Sequence, residues 1–476
     1  MRLTIIHPCI GRRPGETYIR AWQMEPLPAA TIAGLTPDHV DVRFYDDRME
    51  PIPFDEPTDL VAISVETYTA RRAYEIASEF RLRGVPVVMG GFHATLVPDE
   101  VSRYAEAVVV GEAEAVWADV LADAAAGRLK RVYRGAGRPS LAGLRPRRSV
   151  FDGKRYLPIG LVEAGRGCHY KCDFCAVQSV FNSTQTRRPV EDVIREVREV
   201  AARGRKLLFF VDDNVTSNME DAKRLFRAMA GLGVRWIGQA SIDAAHDEEY
   251  LRLLTASGCQ GVLIGFETLN EANLAQMKKR FNTARGGYEV ALANLRRHGV
   301  RLYATFVVGY DEDTEAAVAE TLAFAKQHRF YIAAFNHLTP FPGTPLYARL
   351  EREGRLTYER WWLDPAYRYN EVPFTPARMT PEAVRRSCVA ARASFYGWPS
   401  IARRSLDRVN AGNAFMWSAY WTINAMLRAE VDQRDGYPLG DLGWRGELVE
   451  ASHAEAFPAA ALPAAALPAA ARPAAA

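Results

Sequence analysis

The sequence predicts an α/β protein in which two parallel-sheet domains follow one another and a helical region closes the chain. Three observations carry this. Short apolar runs alternate with helix-spaced segments over residues 1–133, a Gly/Arg/Pro-rich stretch interrupts the period, and a second, sixfold alternation fills residues 156–354.

In the first domain LTIIHP (3–8), DVRFYDD (41–47), LVAISVET (60–67), VPVVMGG (85–91) and AVVVGEAE (107–114) read as strands, being apolar, β-branched and too short for helices. Between them TYTARRAYEIASEFRLRG (67–84) spaces its apolar residues for one helix face. Strands so uniformly apolar are buried on both sides, as in a parallel sheet covered by helices. A Rossmann-like doubly wound domain is therefore expected, with ligands beyond the carboxyl ends of its strands.

RGAGRPSLAGLRPRRS (134–149) has no period, and a linker is expected over 134–155. The second series is IGLVEAGRG (159–167), KLLFFVDD (206–213), VRWIGQAS (234–241), GCQGVLIGFE (258–267), RLYATFVVGY (301–310) and FYIAAFNHL (330–338). It alternates with helical stretches at 189–204 and 218–233, so a partial (β/α)6 barrel is expected rather than a full eightfold one. Residues 355–450 turn aromatic and then mostly helical. The Ala/Pro tail 451–476 has nothing with which to build a core, and disorder is expected there.

Sixty basic residues stand against 57 acidic ones, a net charge of +3 that offers no electrostatic argument for nucleic acid or an anionic surface. No apolar run reaches the 18 residues of a membrane span. The nearest, AGNAFMWSAYWTINAML (411–427), reads as a packed helix, with contact to a membrane or a greasy substrate as the alternative. Cys9, Cys259 and Cys388 stand singly and no export signal opens the chain, which points to a reduced, cytoplasmic protein. Of these, Cys9 is placed near the domain interface.

The chemistry sits in RGCHYKCDFCAVQ (166–178), where Cys168, Cys172 and Cys175 are spaced C-x3-C-x2-C just after the first barrel strand. A structural zinc site takes four ligands, commonly in two pairs, and no second Cys or His pair follows. A four-iron cluster needs one ligand per iron, so three thiolates leave one iron open to a substrate or cofactor.

With Phe174 before the last cysteine, this run resembles the signature of the radical S-adenosylmethionine (SAM) superfamily. FFVDDNVT (209–216), QASID (239–243), GCQGVLIGFETLN (258–270), FVVGYDEDT (306–314) and LTPFPGTPLY (338–347) resemble strand-end segments of its members that carry an N-terminal cobalamin-binding domain. The resemblance implies that Cys168, Cys172 and Cys175 hold a [4Fe–4S] cluster whose fourth iron chelates SAM, and that reductive cleavage of SAM yields a 5′-deoxyadenosyl radical. It implies SAM contacts at Phe174, at Asp212 and Asp213 near the SAM amino group, at Gln239, Ser241 and Glu267, and along the backbone of Val307 to Gly309. The acidic residues have a competing use as helix caps.

For cobalamin, VVMGGFHATLVPDE (87–100) and AVVVGEAEAVW (107–117) carry the resemblance. The implied contacts are Ser64, Glu66, Thr67, Gly90, Gly91, His93, Gly111 and Glu112, with Gly90 and Gly91 admitting a close backbone approach. Asp-x-His-x-x-Gly is missing, so cobalamin would lack a histidine from that motif; the same absence is compatible with a vestigial domain. His93 reads more readily as a structural hydrogen-bonding residue than as a metal ligand.

The activity implied is cobalamin-dependent methyl transfer to an unactivated carbon of a secondary-metabolite, lipid or tetrapyrrole-type molecule. The alternative is a radical oxidoreductase performing cyclisation or rearrangement. Methylthiolation calls for three more N-terminal cysteines, and only Cys9 is there. A sensing module would want a nucleic-acid-binding element, and none is recognisable. The implied partners are a reductant such as flavodoxin or ferredoxin and a large apolar or planar small molecule. WWLDPAYRYN (361–370) with Phe395, Tyr396, Trp398, Trp417, Tyr420 and Trp421 either lines a pocket for it or builds core.

Overall fold

A computed structural model describes residues 1–16, 23–205, 207–432 and 435–451; all of the expected tail except Ala451 lies outside them. The first domain comprises β1 (Arg2–His7), β2 (Gly11–Arg12), β3 (Asp41–Asp46), β4 (Leu60–Ser64), β5 (Val87–Gly90), β6 (Ala107–Val110) and β7 (Val132–Arg134). Six of these form one sheet in the order β3-β1-β4-β5-β6-β7, parallel throughout. Alternate residues feed two cores. Leu3 and Ile5 pack with Trp117 on one face, while Ile6, Val61 and Ile63 pack against Ile76 and Phe80 of the helix Ala70–Leu82 on the other. Strand order reverses between β1 and β4, and such a switch point opens a ligand crevice at the strand ends. His7 and Ser64 mark those ends. Strand β7 was not expected, because three residues at a domain boundary carry no readable period.

The second domain comprises β8 (Ile159–Val162), β9 (Gly165–Gly167), β10 (Gln185–Arg187), β11 (Leu207–Phe210), β12 (Arg235–Ala240), β13 (Cys259–Glu267), β14 (Arg301–Val308) and β15 (Ile332–His337). Six are parallel in the order β15-β14-β13-β12-β11-β8, the open partial barrel expected from the sequence. The run 159–167 is not one strand: after Val162 the chain leaves the sheet and β9 pairs antiparallel with β10. Along β13, β14 and β15, Phe266, Phe306 and Phe335 are fully buried, ringed by Phe324 and Phe395 of the outer helices. The intervening Leu263, Tyr303, Thr305, Val307 and Asn336 keep some accessibility although protein surrounds the strands. They face a hollow barrel interior.

Most of the aromatic C-terminal residues serve as core instead of pocket wall. Trp361, Trp362 and Tyr367 join the core of the first domain, with the Trp361 indole donating to Pro340 O at 2.9 Å and that of Trp362 to Glu100 Oε1 at 2.9 Å. Phe395, Tyr396 and Tyr420 are buried, whereas Trp398 and Trp417 are exposed. The helices Pro381–Phe395, Trp398–Ser405 and Ala414–Ala429 follow the barrel. The last strand, β16 (Gly440–Asp441), then returns to pair with β2. Beyond it the chain runs along the helix Ala70–Leu82, where Trp444 donates to Glu79 at 2.8 Å and Val449 N to Ser78 Oγ at 2.9 Å. No described helix is long and apolar enough to cross a membrane.

Two stability predictions follow from this packing. Replacing the fully buried Trp361 with Ala costs about 3–5 kcal/mol in denaturant unfolding, while Trp398→Ala, half exposed, costs less than about 1 kcal/mol. At the end of β15 the His337 Nε2 is buried without a hydrogen-bond partner, and burial, aided by the charge of Arg392, lowers its pKa to about 4. The unfolded chain therefore binds this proton below pH ~6.5 and the folded chain only below about 4, so stability falls as pH drops through that window. His337→Gln flattens the acid limb of unfolding by about 3 kcal/mol between these limits; an unchanged limb refutes the assignment.

Candidate active site at the facing strand ends

Cys168 follows β9 directly, Cys172 is buried, and Cys175 occupies the N-cap position of the helix Ala176–Phe181. All three are free thiols. The loop that carries them is set by two carboxylates after β11. Asp212, 1% exposed, accepts from Ala164 N at 2.7 Å and from Arg187 at 2.9 Å; Asp213 accepts from Gly167 N at 2.7 Å. The capture of Ala164 is why the chain leaves the sheet after Val162, and Gly167, at φ +89°, turns it toward Cys168. Asn214 donates to Cys168 Sγ at 3.5 Å and to Ser241 Oγ at 3.3 Å. Tyr170 stacks on Phe281 at 3.8 Å and donates to Asp243 at 2.7 Å.

Lys279 is the cation of the site. It is buried, donates to Glu267 Oε1 at 2.7 Å and to Gly265 O at 3.2 Å, and lies within electrostatic reach of Cys172 and Cys175. Burial opposes its charge, but Glu267 and the two thiols hold its pKa above the ordinary value. Burial pushes Cys172 up to about 12 while Lys279 pulls it back. Burial likewise raises Cys175, against which the backbone N–H groups of Gln178 and Val177 act. Metal binding deprotonates such thiols outright, and this donor set suits it: three soft ligands, a balancing ammonium and an amide donor on sulfur. Among the described residues no three His, Cys, Asp or Glu side chains converge as they would on a single ion. A cluster that places each thiolate on its own iron needs no such convergence.

The expected SAM residues do gather here, with different partners. Asp212 and Asp213 are spent on the loop backbone and Arg187, and burial raises them to about 7 and about 6. Glu267, at φ +63°, is committed to Lys279. Gln239 reaches Asp212 O at 3.5 Å, Ser241 is tied to Asn214 and Thr216, and Phe174 meets Tyr310 edge-on at 6.3 Å. Val307 faces the interior. Gly309 donates to Asp313 Oδ2 at 2.8 Å, and a Cβ there would stand 3.3 Å from Phe374.

On the first domain, Glu66 is accessible to solvent and yet strongly desolvated by surrounding protein, which raises its pKa; Arg48 opposes the rise. That combination belongs to a group lining a recess. His7, at the neighbouring strand end, is lowered to about 4 by burial and by Arg48. Ser64 lies beside this recess, and Gly111 (φ +86°) has open space where a Cβ would project. Gly90 has ordinary room against Val109.

Three of the expected cobalamin positions are engaged by the chain itself, His93 in the structural hydrogen-bonding role read from the sequence, and the placement of Cys9 is corrected. A Cβ on Gly91 would lie 2.8 Å from Val65 O, so the chain's own backbone demands that glycine. His93 is fully buried with Nδ1 3.2 Å from Thr67 Oγ1 and Nε2 3.2 Å from Glu100, which leaves no ring nitrogen, and no free Thr67 hydroxyl, for a ligand. Glu112 binds Arg138 and Arg166 across the domain interface. Cys9 is sealed inside the first domain, donating to Gly11 O at 3.5 Å.

The two sets of strand ends face each other. Arg166, two residues before Cys168, pairs with Glu114 at 2.6 Å and Glu163 at 2.8 Å; Phe92 meets Phe181 at 5.7 Å; Tyr68 reaches Thr339 at 3.2 Å. Sequence reasoning missed Lys279, Arg48, His7, Arg166 and Arg187. Only Arg166, inside the cysteine run, carried a signal that could have exposed it.

Residues 162–325 match the family model described as the radical SAM superfamily. The chain is 30% identical over 412 residues to the bacteriochlorophyllide d C-12(1)-methyltransferase of Chlorobaculum tepidum, covering 84% of this chain and 88% of that one. It is 24% identical over 429 residues to the anaerobic magnesium-protoporphyrin IX monomethyl ester cyclase of Cereibacter sphaeroides, covering 81% and 68%. Its fold matches the radical SAM methyltransferase TsrM of Kitasatospora setae, solved with cobalamin and a [4Fe–4S] cluster, at TM-score 0.65 and 17% identity over 91% of this chain and 99% of that one. Thiol spacing, an open six-stranded barrel and a likeness at 30% identity over 84% of the chain agree: the chain belongs to the radical SAM superfamily.

Proposed function

We propose that this chain is a cobalamin-dependent radical SAM methyltransferase acting on an unactivated carbon of a small molecule. The observation that carries the reading is the facing of the two sets of strand ends, held by Arg166 to Glu112 and Glu114 and by Phe92 against Phe181, with three free thiols on the barrel side and solvent-accessible Glu66 on the other. When bound there, a [4Fe–4S] cluster, SAM and cobalamin would supply the electron, the radical and the transferable methyl group.

The chain's own residues bind, orient and exclude water. Cys168, Cys172 and Cys175 would hold three irons and leave the fourth open. Lys279 balances charge behind Cys172 and Cys175, and Asp212 with Asp213 fixes the start of their loop. Gln239, Ser241, Glu267 and the backbone from Val307 to Gly309 remain the proposed SAM wall. Ser64, Glu66, Gly90 and Gly111 remain the proposed cobalamin wall. Tyr303, Thr305 and Asn336, pointing into the hollow barrel, are the polar groups that would meet substrate. A large apolar or planar molecule suits this space, since Leu263 and Val307 share it with those three. The electron comes from an external reductant of the flavodoxin or ferredoxin kind, and six cysteines free of disulfides fit the cytoplasm. Cyclisation by the same residues is the competing outcome of the test.

Anaerobically reconstituted protein is expected to hold about four irons per chain, to release cobalamin on acidification, and to turn SAM into both 5′-deoxyadenosine and S-adenosylhomocysteine. Cobalamin-free protein that makes 5′-deoxyadenosine alone would overturn methyl transfer in favour of oxidative cyclisation or rearrangement. Asp212→Asn strands Arg187 and weakens the hold on Ala164, costing about 3 kcal/mol and lowering iron content before any effect on cobalamin; iron retention at wild-type level refutes its positioning role.

A further inference from the structure

Of the eight large hydrophobic residues exposed among the described residues, four fall in one 20-residue stretch: Trp398, Leu406, Phe415 and Trp417. They sit on and between the helices Trp398–Ser405 and Ala414–Ala429, which pack together through Ile401 and Tyr420. The second helix buries only Met416, Tyr420 and Asn424. On either flank of that buried stripe the helix exposes Phe415 and Trp417, with Trp421 partly buried beside it, small residues between, no acid from Ala414 to Ala429 and a single Arg428.

Along the two helices themselves basic residues outnumber acids, the acids Glu430 and Asp432 coming only after the second helix ends. From Trp398 to Ala429 the only acid is Asp407, which is 1% exposed and paired with Arg296 at 2.6 Å. Arg403, Arg408 and Arg428 are exposed. Arg428 lies over the Trp398 ring at 5.4 Å, and Arg235, from the start of β12, lies over Phe415 at 4.5 Å. The net charge of +3 for the whole chain conceals this local excess. The helix Ala414–Ala429 lies across the strand starts of the barrel: Tyr331 donates to Met416 O and Asn413 to Gln260. The patch is therefore at the opposite end from the cysteines.

We propose that this face docks on the surface of an anionic lipid bilayer. Indole and phenyl rings on a helix without acids, fringed by arginines, suit the headgroup layer: rings enter the boundary and guanidinium groups meet lipid phosphates. Docking at the strand starts leaves the first domain and the facing strand ends free, and keeps the enzyme beside amphiphilic molecules drawn from the bilayer.

The full chain is mixed with vesicles of phosphatidylcholine alone or with a quarter phosphatidylglycerol and sedimented. Binding to the anionic vesicles only, falling at high salt, is expected. The triple change Arg403→Gln, Arg408→Gln, Arg428→Gln lowers partitioning about a hundredfold, each arginine being worth about fivefold at an anionic surface. Phe415→Ser with Trp417→Ser also lowers it, with unfolding midpoint and iron content unchanged. Equal binding to both vesicle types, or no binding, overturns the proposal. So does a concentration-dependent dimer in light scattering that the Phe415/Trp417 variant abolishes, which would assign the face to a second copy of the chain.

Discussion

A buried carboxylate at the end of the second barrel strand decides where the cysteine loop begins. Asp212 stands in a nearly water-free position and takes two donors, the Ala164 amide and the Arg187 guanidinium. Burial lifts its pKa to about 7 even with both in place, so losing either donor would drive it to the neutral acid and loosen the contact. Strand β8 must therefore end at Val162, β9 must turn outward, and Cys168 must start where Asn214 can reach its sulfur. Arg187 lies on β10, so the same contact fixes the partner strand of β9. One charge organises four segments of chain.

The second constraint is electrical balance across the domain interface. Arg166 inserts between Glu112 and Glu114 of the first domain and Glu163 of the barrel, and Arg138 adds a second cation on Glu112, so much of the negative charge behind the cysteines is offset. Lys279 and Glu267 repeat the device inside the barrel. In so poorly solvated a region each of these charges is held by an opposite charge within ion-pair distance, and this fixes side chains before any ligand arrives. The site is organised as a rigid cup, with polar groups spent inward and few left pointing into the space.

How much of this was readable in the sequence depended on how far each feature rests on local pattern. Both parallel sheets were legible because their strands are apolar runs separated by helical spacing. The thiol triad was legible because spacing along one loop defines it. Asp212 and Asp213 were found, but not their job: a carboxylate at a strand end looks the same whether it meets a ligand or a backbone amide. Lys279 was invisible, since it lies 12 positions beyond Glu267 and only the fold brings it to the cysteines. Trp361 and Trp362 are core, one of the two uses the sequence offered, but density of aromatics does not say which domain they fill, and these two fill the first. Gly91 looked like room for a ligand and proved to be room for Val65.

The pairing of β2 with β16 joins residues 11–12 to residues 440–441. Both ends of the chain therefore complete the same domain, and the first sheet is not a cassette ending at residue 134. Grafting it onto the barrel of a relative by cutting in the linker would leave its helix Ala70–Leu82 without the strap that Ser78 and Glu79 hold. On the ribosome, too, residues 11–12 and the helix Ala70–Leu82 are made long before residues 440–449, so that outer helix stays uncovered until the barrel between them has been synthesised.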